Sequence, residues 1–142
     1  MNLRQKALLK SLWVFHMSCA SCNNCDIEAL DCFTPRHDVE RFGITLVGSP
    51  RHADMLLCTG IVNKKGVERV RKVYEQMAKP CVVVCVGVCA TSQGMFKDSY
   101  NAGIPFDKIF PVDAYIPGCP PKPEAIIDGV VKVIDKITKS KK

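Results

Sequence analysis

Nine cysteines stand in a chain of 142 residues, and four of them occupy positions where thiols can meet. Cys22-Asn23-Asn24-Cys25 follows the apolar run Leu12-Trp13-Val14-Phe15, and Cys89 follows Val82-Val83-Val84-Cys85-Val86. Cys119 lies in Gly118-Cys119-Pro120-Pro121, downstream of Ile109-Phe110-Pro111-Val112. If those apolar runs are neighbouring parallel strands, their carboxyl ends share one edge of a sheet, which is where open α/β sheets bind ligands. Four converging thiols in a reducing compartment point to a metal ion or an iron-sulfur cluster. A Cys-x-x-Cys pair by itself is common to zinc sites, redox disulfides and cluster sites. Zinc motifs usually come as two close pairs, whereas here two of the cysteines are single and stand at separate strand ends. A thioredoxin-like redox pair leaves Cys119 and its prolines without a role. The odd, high cysteine count, with no secretory leader pattern, argues against a disulfide framework.

The remaining thiols divide by context. Cys58, Cys81 and Cys85 sit within or beside apolar runs and are expected to be core residues, since free cysteine is among the most buried residue types. Cys19 opens a Cys-x-x-Cys-x-x-Cys run resembling that of ferredoxins, but no fourth Cys-Pro follows at the required spacing, so Cys19 stays unassigned. Cys32 falls one to two helical turns after Cys25 and is expected to pack.

The elements that must hold these loops alternate. Residues 11 to 17 read as a buried strand, rich in aromatic and branched side chains. Asp26 to Leu30 forms a first helical turn with two carboxylates near its positive end, and Pro35 closes that helix. Strands follow at Ile44 to Val47 and at Met55 to Gly60, the second leading to an amphipathic helix from about Lys64 to Ala78. Cys81 to Val86 is the most apolar run and is expected to be the central strand, because strands covered on both faces lose their alternation. Gly87 to Phe96 reads as a long irregular loop and Asp107 to Val112 as a last short strand. Pro123 begins a helix to about Thr138, a first-turn position where its missing N–H costs nothing. Strand and helix alternate with short connections, as in a parallel-sheet α/β domain.

Composition sets outer limits. The chain length suits one domain with a single core, spanning residues 1–142, with a basic amphipathic arm over residues 1–10 and a flexible tail over 139–142. A hydrophobic share of 47% and a charged share of 24% are ordinary for a globular chain, and no apolar run approaches the roughly 20 residues that span a bilayer. The net charge of +6 comes partly from the lysine-rich end. Aromatic residues are not interleaved with the basic ones as stacking platforms would require, so nucleic acid is not an expected partner, and acidic proteins or lipid headgroups suit the charge better.

Together the segments Cys22 to Glu28, Glu40 to Ile44, Ser49 to Asp54, Gly87 to Ala90 and Pro117 to Pro121 resemble the small, electron-transferring subunit of nickel-iron hydrogenases. The likeness is greatest to the membrane-bound, energy-converting group and to the related B-type 4Fe-4S (20 kDa) subunit of NADH:quinone oxidoreductase, complex I. It runs through nearly the whole chain in order and spacing. The respiratory subunit carries adjacent cysteines at the first motif, whereas two residues separate Cys22 from Cys25, which favours the hydrogenase branch.

The resemblance implies a flavodoxin-like parallel sheet flanked by helices, with one [4Fe-4S] cluster held by Cys22, Cys25, Cys89 and Cys119 at the carboxyl ends of the strands. It implies an oxidoreductase subunit that breaks no bond itself. Such a subunit relays electrons to a [NiFe]-type large subunit, which holds the NiFe centre, and works beside ferredoxin-like iron-sulfur subunits and membrane-arm subunits. The expected location is peripheral, on the cytoplasmic side of the cell membrane. A complex I-like reductase of quinone or of a sulfur compound remains the alternative, because the difference would lie in the large subunit. Carried over by position, Glu28 stands near the catalytic-subunit interface as a candidate for proton transfer, and Arg51 and His52 stand in a loop near the cluster. The chain departs from the family at Gln93, where glycine is usual, so the loop after Cys89 is expected to run differently.

Overall fold

The computed structural model describes residues 10–139, so the expected basic arm, apart from Lys10, and the last three residues of the tail lie outside the described residues. Nine elements follow in order: β1 (Leu12–Cys19), α1 (Asn24–Asp31), β2 (Ile44–Leu46), β3 (Met55–Gly60), α2 (Val67–Gln76), β4 (Val82–Val86), α3 (Val88–Ser92), β5 (Ala114–Ile116) and α4 (Pro123–Lys139). Short 3-10 turns connect them at Val39–Phe42, Pro50–His52, Gly94–Phe96 and Phe106–Lys108.

The five strands form one sheet in the order β2-β1-β3-β4-β5, and every pairing is parallel. This is the strand order of flavodoxin-like doubly wound folds, as expected. The period of two along each strand separates two apolar layers. Leu12, Val14, Met55, Leu57, Val84 and Val86 point to one side, where Ala29 and Cys32 of α1 and Ile126, Val130 and Val133 of α4 cover them. Met17, Leu56, Cys58, Val83 and Cys85 point to the other, under Val70 of α2, Ala90 of α3 and the pair Phe106 and Phe110. Each fully buried large apolar side chain contributes about 1.5–3 kcal/mol relative to exposure. Both layers are built from protein side chains.

Three details differ from the sequence-based expectations. The middle of the sheet is β3, not β4: all six β3 residues are buried, although its Thr59 and Gly60 make it look less apolar than the Val-rich β4. Residues 107 to 112 form no strand. Phe106–Lys108 is a 3-10 turn that tucks Phe106 and Phe110 under the sheet, with Phe110 stacked on Tyr74 at 4.8 Å between ring centroids. The last strand begins at Ala114, where Asp113 pairs with Val83 through both its backbone N–H and its side chain. The stretch after Cys89 is ordered rather than irregular, as a short helix followed by a 3-10 turn.

Candidate iron-sulfur site

β1 ends at Cys19, β4 at Val86 and β5 at Ile116, and each strand releases its chain at the same edge because all run parallel. Cys22 and Cys25 leave β1, Cys89 opens α3 after β4, and Cys119 follows β5. Backbone bonds draw the last two loops together: Gly87 N–H donates to Ile116 C=O and Val88 N–H to Gly118 C=O, both at 2.8 Å. The β1 loop comes from farther away, since β3 lies between β1 and β4. It crosses the end of β3 as the start of α1 and brings Cys25 Sγ to Gly87.

Gly87 shows how close that approach is. It has φ +90, and a Cβ there would lie 2.6 Å from Cys25 Sγ, so only glycine lets the sulfur in. Cys25 is buried, Cys89 partly buried, and Cys22 and Cys119 are exposed. Burial pushes the Cys25 thiol up to about 11, and the neighbouring Cys22, Cys89 and Cys119 push the same way. Cys89 is raised by burial and by Cys119 and Cys22. Cys22 and Cys119 thus act on both Cys25 and Cys89, and Cys89 acts on Cys25. Such a set ionises when a metal or cluster takes up the sulfurs, releasing protons as it binds.

Among the described residues, no group of three or more His, Cys, Asp or Glu closes tightly enough to hold a single metal ion. The glycine cradle at Gly87 and the all-thiol donor set of Cys22, Cys25, Cys89 and Cys119 suit an iron-sulfur cluster.

The other cysteines stay apart. Cys19 closes β1 in the layer opposite α1, where burial and the nearby Cys85 raise its thiol to about 12. Cys58 and Cys85 are wholly buried cross-strand partners, and burial lifts Cys58 well above its ordinary value. Cys32 is packed between α1 and α4, its thiol directed at Glu28 C=O and Pro123 C=O. Cys81 is only half-buried, with Lys79 Nζ 3.8 Å from its sulfur. Cys58→Ala and Cys85→Ala are therefore expected to leave iron content at the wild-type level while costing about 0.5–3 kcal/mol of stability each. Iron analysis beside thermal melts checks this, and loss of iron in either variant would reverse the assignment.

Glu28 is half-buried on α1, three residues past Cys25. Arg51 and His52 belong elsewhere, contrary to expectation. They precede β3 in the Pro50–His52 turn, at the amino ends of the strands, and His52 packs edge-on against Trp13 at 6.5 Å. Parallel strands send what precedes them to the edge opposite the cysteine loops. Gln93 takes the left-handed conformation itself, at φ 65, and its buried side-chain amide donates to Gly103 C=O at 2.9 Å. That bond offsets the roughly 1–2 kcal/mol of backbone strain, so the turn a glycine would make is made by glutamine.

One group escaped the sequence reading. The Asp26 carboxylate is buried at the start of α1 and accepts hydrogen bonds from Thr59 Oγ1 and from Ser18 Oγ at 3.0 Å, and it lies 3.0 Å from His16 Nε2. Burial raises the Asp26 pKa, but the hydrogen bonds from Thr59, Ser18 and Ser21 and the nearby His16 outweigh it, so the carboxyl lies below its ordinary value. The signal was present in β1: His16 and Ser18, two apart on one face of an apolar strand, need a polar partner above the sheet.

Comparisons with known proteins show the fold and the family. The family model of the NADH ubiquinone oxidoreductase 20 Kd subunit matches residues 22–133. The chain is 52% identical, over 94% of its length and 80% of the relative's, to a probable membrane-bound hydrogenase subunit of Pyrococcus furiosus. It is 42% identical to the B-type subunit of the NADH-quinone oxidoreductase of Geotalea daltonii, over 92% of this chain and 75% of that one. A chain of the membrane-bound sulfane sulfur reductase, an archaeal respiratory membrane complex, superposes with a TM-score of 0.83 at 42% identity, covering 95% of this chain and 75% of its own. An NAD+-reducing [NiFe]-hydrogenase chain shares the fold at 22% identity and a TM-score of 0.67. Among the described residues no helix is long and apolar enough to cross a membrane. The chain belongs to the family of the NADH:ubiquinone oxidoreductase 20 kDa subunit and of membrane-bound hydrogenase small subunits, and is a subunit of an oxidoreductase complex.

Proposed function

We propose that this chain holds one [4Fe-4S] cluster, the proximal one, on Cys22, Cys25, Cys89 and Cys119, and relays electrons to a nickel-iron-type large subunit. The observation that carries the reading is the convergence of four thiols from three strand ends, with Cys25 seated against Gly87. When bound, the cluster supplies a one-electron site whose potential answers to charge, hydrogen bonds to sulfur and exposure to water. The chain's own residues fix the four sulfurs and exclude water from Cys25. Ile27 and Leu30 of α1 are exposed, as are Met95, Phe96 and Tyr100 in the stretch that follows α3. An apolar surface of this kind marks a partner interface, here that of the large subunit.

The complex is a membrane-associated hydrogenase fed from ferredoxin through other iron-sulfur subunits, with this chain peripheral, beside membrane-arm subunits on the cytoplasmic side. The separation of Cys22 from Cys25 by two residues supports the hydrogenase branch, and the likeness to a sulfane sulfur reductase chain supports reduction of a sulfur compound as the second reading. Equal iron and acid-labile sulfide in the purified complex, with visible absorption bleached by dithionite, is the expected result. A colourless zinc protein would sink the proposal. Nickel with dithionite-driven hydrogen evolution selects the hydrogenase, and turnover of a quinone or sulfur compound without nickel selects the alternative.

Glu28 enters this reading as a proton carrier at the large-subunit interface, since it is half-buried one turn beyond Cys25. Glu28→Gln keeps its shape but cannot pass a proton on. The variant complex is expected to retain iron and assembly and to lose turnover by about 10²–10⁴-fold. Turnover near wild type would remove Glu28 from the mechanism.

A further inference from the structure

We infer that Asp26, bound to Thr59, Ser18 and His16, is the positioning residue that carries the β1 loop across β3 and sets where Cys25 meets the cluster. The inference rests on the cluster assignment above. The β1 loop has to pass over the end of β3 before Cys25 can reach Gly87 beyond β4, and the bond within its own turn, Asn23 N–H to Ser21 Oγ at 3.1 Å, ties the loop only to itself. α1 begins after Asn23 in a left-handed conformation, and Asn23 makes no side-chain cap to the helix. The foothold is Asp26 instead. One carboxylate oxygen accepts from Thr59 Oγ1, on β3 itself, and lies 3.0 Å from His16 Nε2; the other accepts from Ser18 Oγ at 3.0 Å on β1. His16 Nε2 also lies 3.2 Å from Thr59 Oγ1, so these two side chains meet beneath the carboxylate while Ser18 holds its other oxygen.

The sheet register explains why these residues can do this. Ser18 pairs with Thr59 across β1 and β3, and His16 stands two residues before Ser18 on the same face. The first turn of α1 lies over that face, with Asp26 directed down and Cys25, its neighbour, directed along the edge toward Gly87. Thr59 is fully buried and Asp26 nearly so, and among the described residues no buried side-chain polar atom lacks a hydrogen-bond partner. A buried carboxylate with its hydrogen bonds made, as Asp26 has with the buried Thr59, holds a narrow range of geometries. Outer groups that orient ligands in this way typically change metal retention by about 10–100-fold when removed. The Asp26 charge, one residue from a sulfur ligand, also opposes addition of an electron and so holds the midpoint potential down.

The test uses the purified complex. Thr59→Val is isosteric and removes only the hydroxyl, Thr59→Ser keeps it, and Asp26→Asn removes the charge. Thr59→Val is expected to alter the g-values of the reduced cluster and to speed loss of iron to a chelator by about 10–100-fold. Thr59→Ser is expected to restore both, and Asp26→Asn to raise the midpoint potential. If Thr59→Val fails to assemble, Ser18→Ala removes one donor from an exposed residue and is expected to shift the same signals less. Wild-type g-values, potential and chelator rate in assembled variants would overturn the inference while leaving the cluster in place. Absence of iron and sulfide from the wild-type complex would instead overturn the cluster reading itself.

Discussion

Replacing Gly87 by alanine is expected to abolish cluster binding although glycine ligates nothing. The new Cβ would sit 2.6 Å from Cys25 Sγ, on a residue held at φ +90. A left-handed alanine alone costs on the order of 1–3 kcal/mol, and the contact must be relieved by moving either Cys25 or the β4 loop. The β4 loop is tied to β5 through Gly87 N–H and Val88 N–H, so the sulfur is the group that gives way. Iron and sulfide in the Gly87→Ala complex should fall to a small fraction of wild type. Gly48→Ala is the control: nothing lies within 4 Å of its Cβ position, and stability should change by no more than about 0.5 kcal/mol. Normal iron in Gly87→Ala would mean that Cys25 does not approach the cluster from this side.

Cys25→Ala is expected to have the other large effect. Cys25 is the buried member of the four, and three loops meet around it. Its loss removes one cluster corner and the sulfur that fills the space beside Gly87, so the cluster should be absent by absorption and by iron analysis. The sheet should survive, because both apolar layers are filled by side chains without the cluster. Amide hydrogen exchange separates these consequences: protection should persist in β1, β3 and β4 and vanish from residues 20–25 and 117–121. Uniform loss of protection would show that the cluster, not the core, holds the sheet together. Retained iron would remove Cys25 from the ligand set.

Much of the site was legible in the residues because each thiol is placed by a local rule. An apolar run reads as a strand, and the cysteine just beyond it falls at that strand's carboxyl end. The same logic placed Cys58 and Cys85 in the core, since both lie within strands rather than after them. It failed where side chains choose partners far away in sequence. Phe110 looked like a strand residue until Tyr74, more than thirty positions earlier, supplied a ring to stack on. Arg51 and His52 belong to a motif that resembles those of the family, but a motif carries no information about which edge of the sheet it occupies.

By itself the amino-acid sequence determined the alternation of strands and helices, the parallel sheet and the placement of Cys22, Cys25 and Cys89 after strand ends. These follow from periodicity and chain order, which are local properties, while the strand that precedes Cys119 emerged only in the structure. Only the tertiary structure decided the order β2-β1-β3-β4-β5, and with it that the first cysteine loop must cross β3 to reach the others. It also decided that Asp26, His16, Ser18 and Thr59 would meet, because a buried polar group is defined by what surrounds it. Hydrogen-bond saturation is a three-dimensional condition, and no spacing along the chain expresses it.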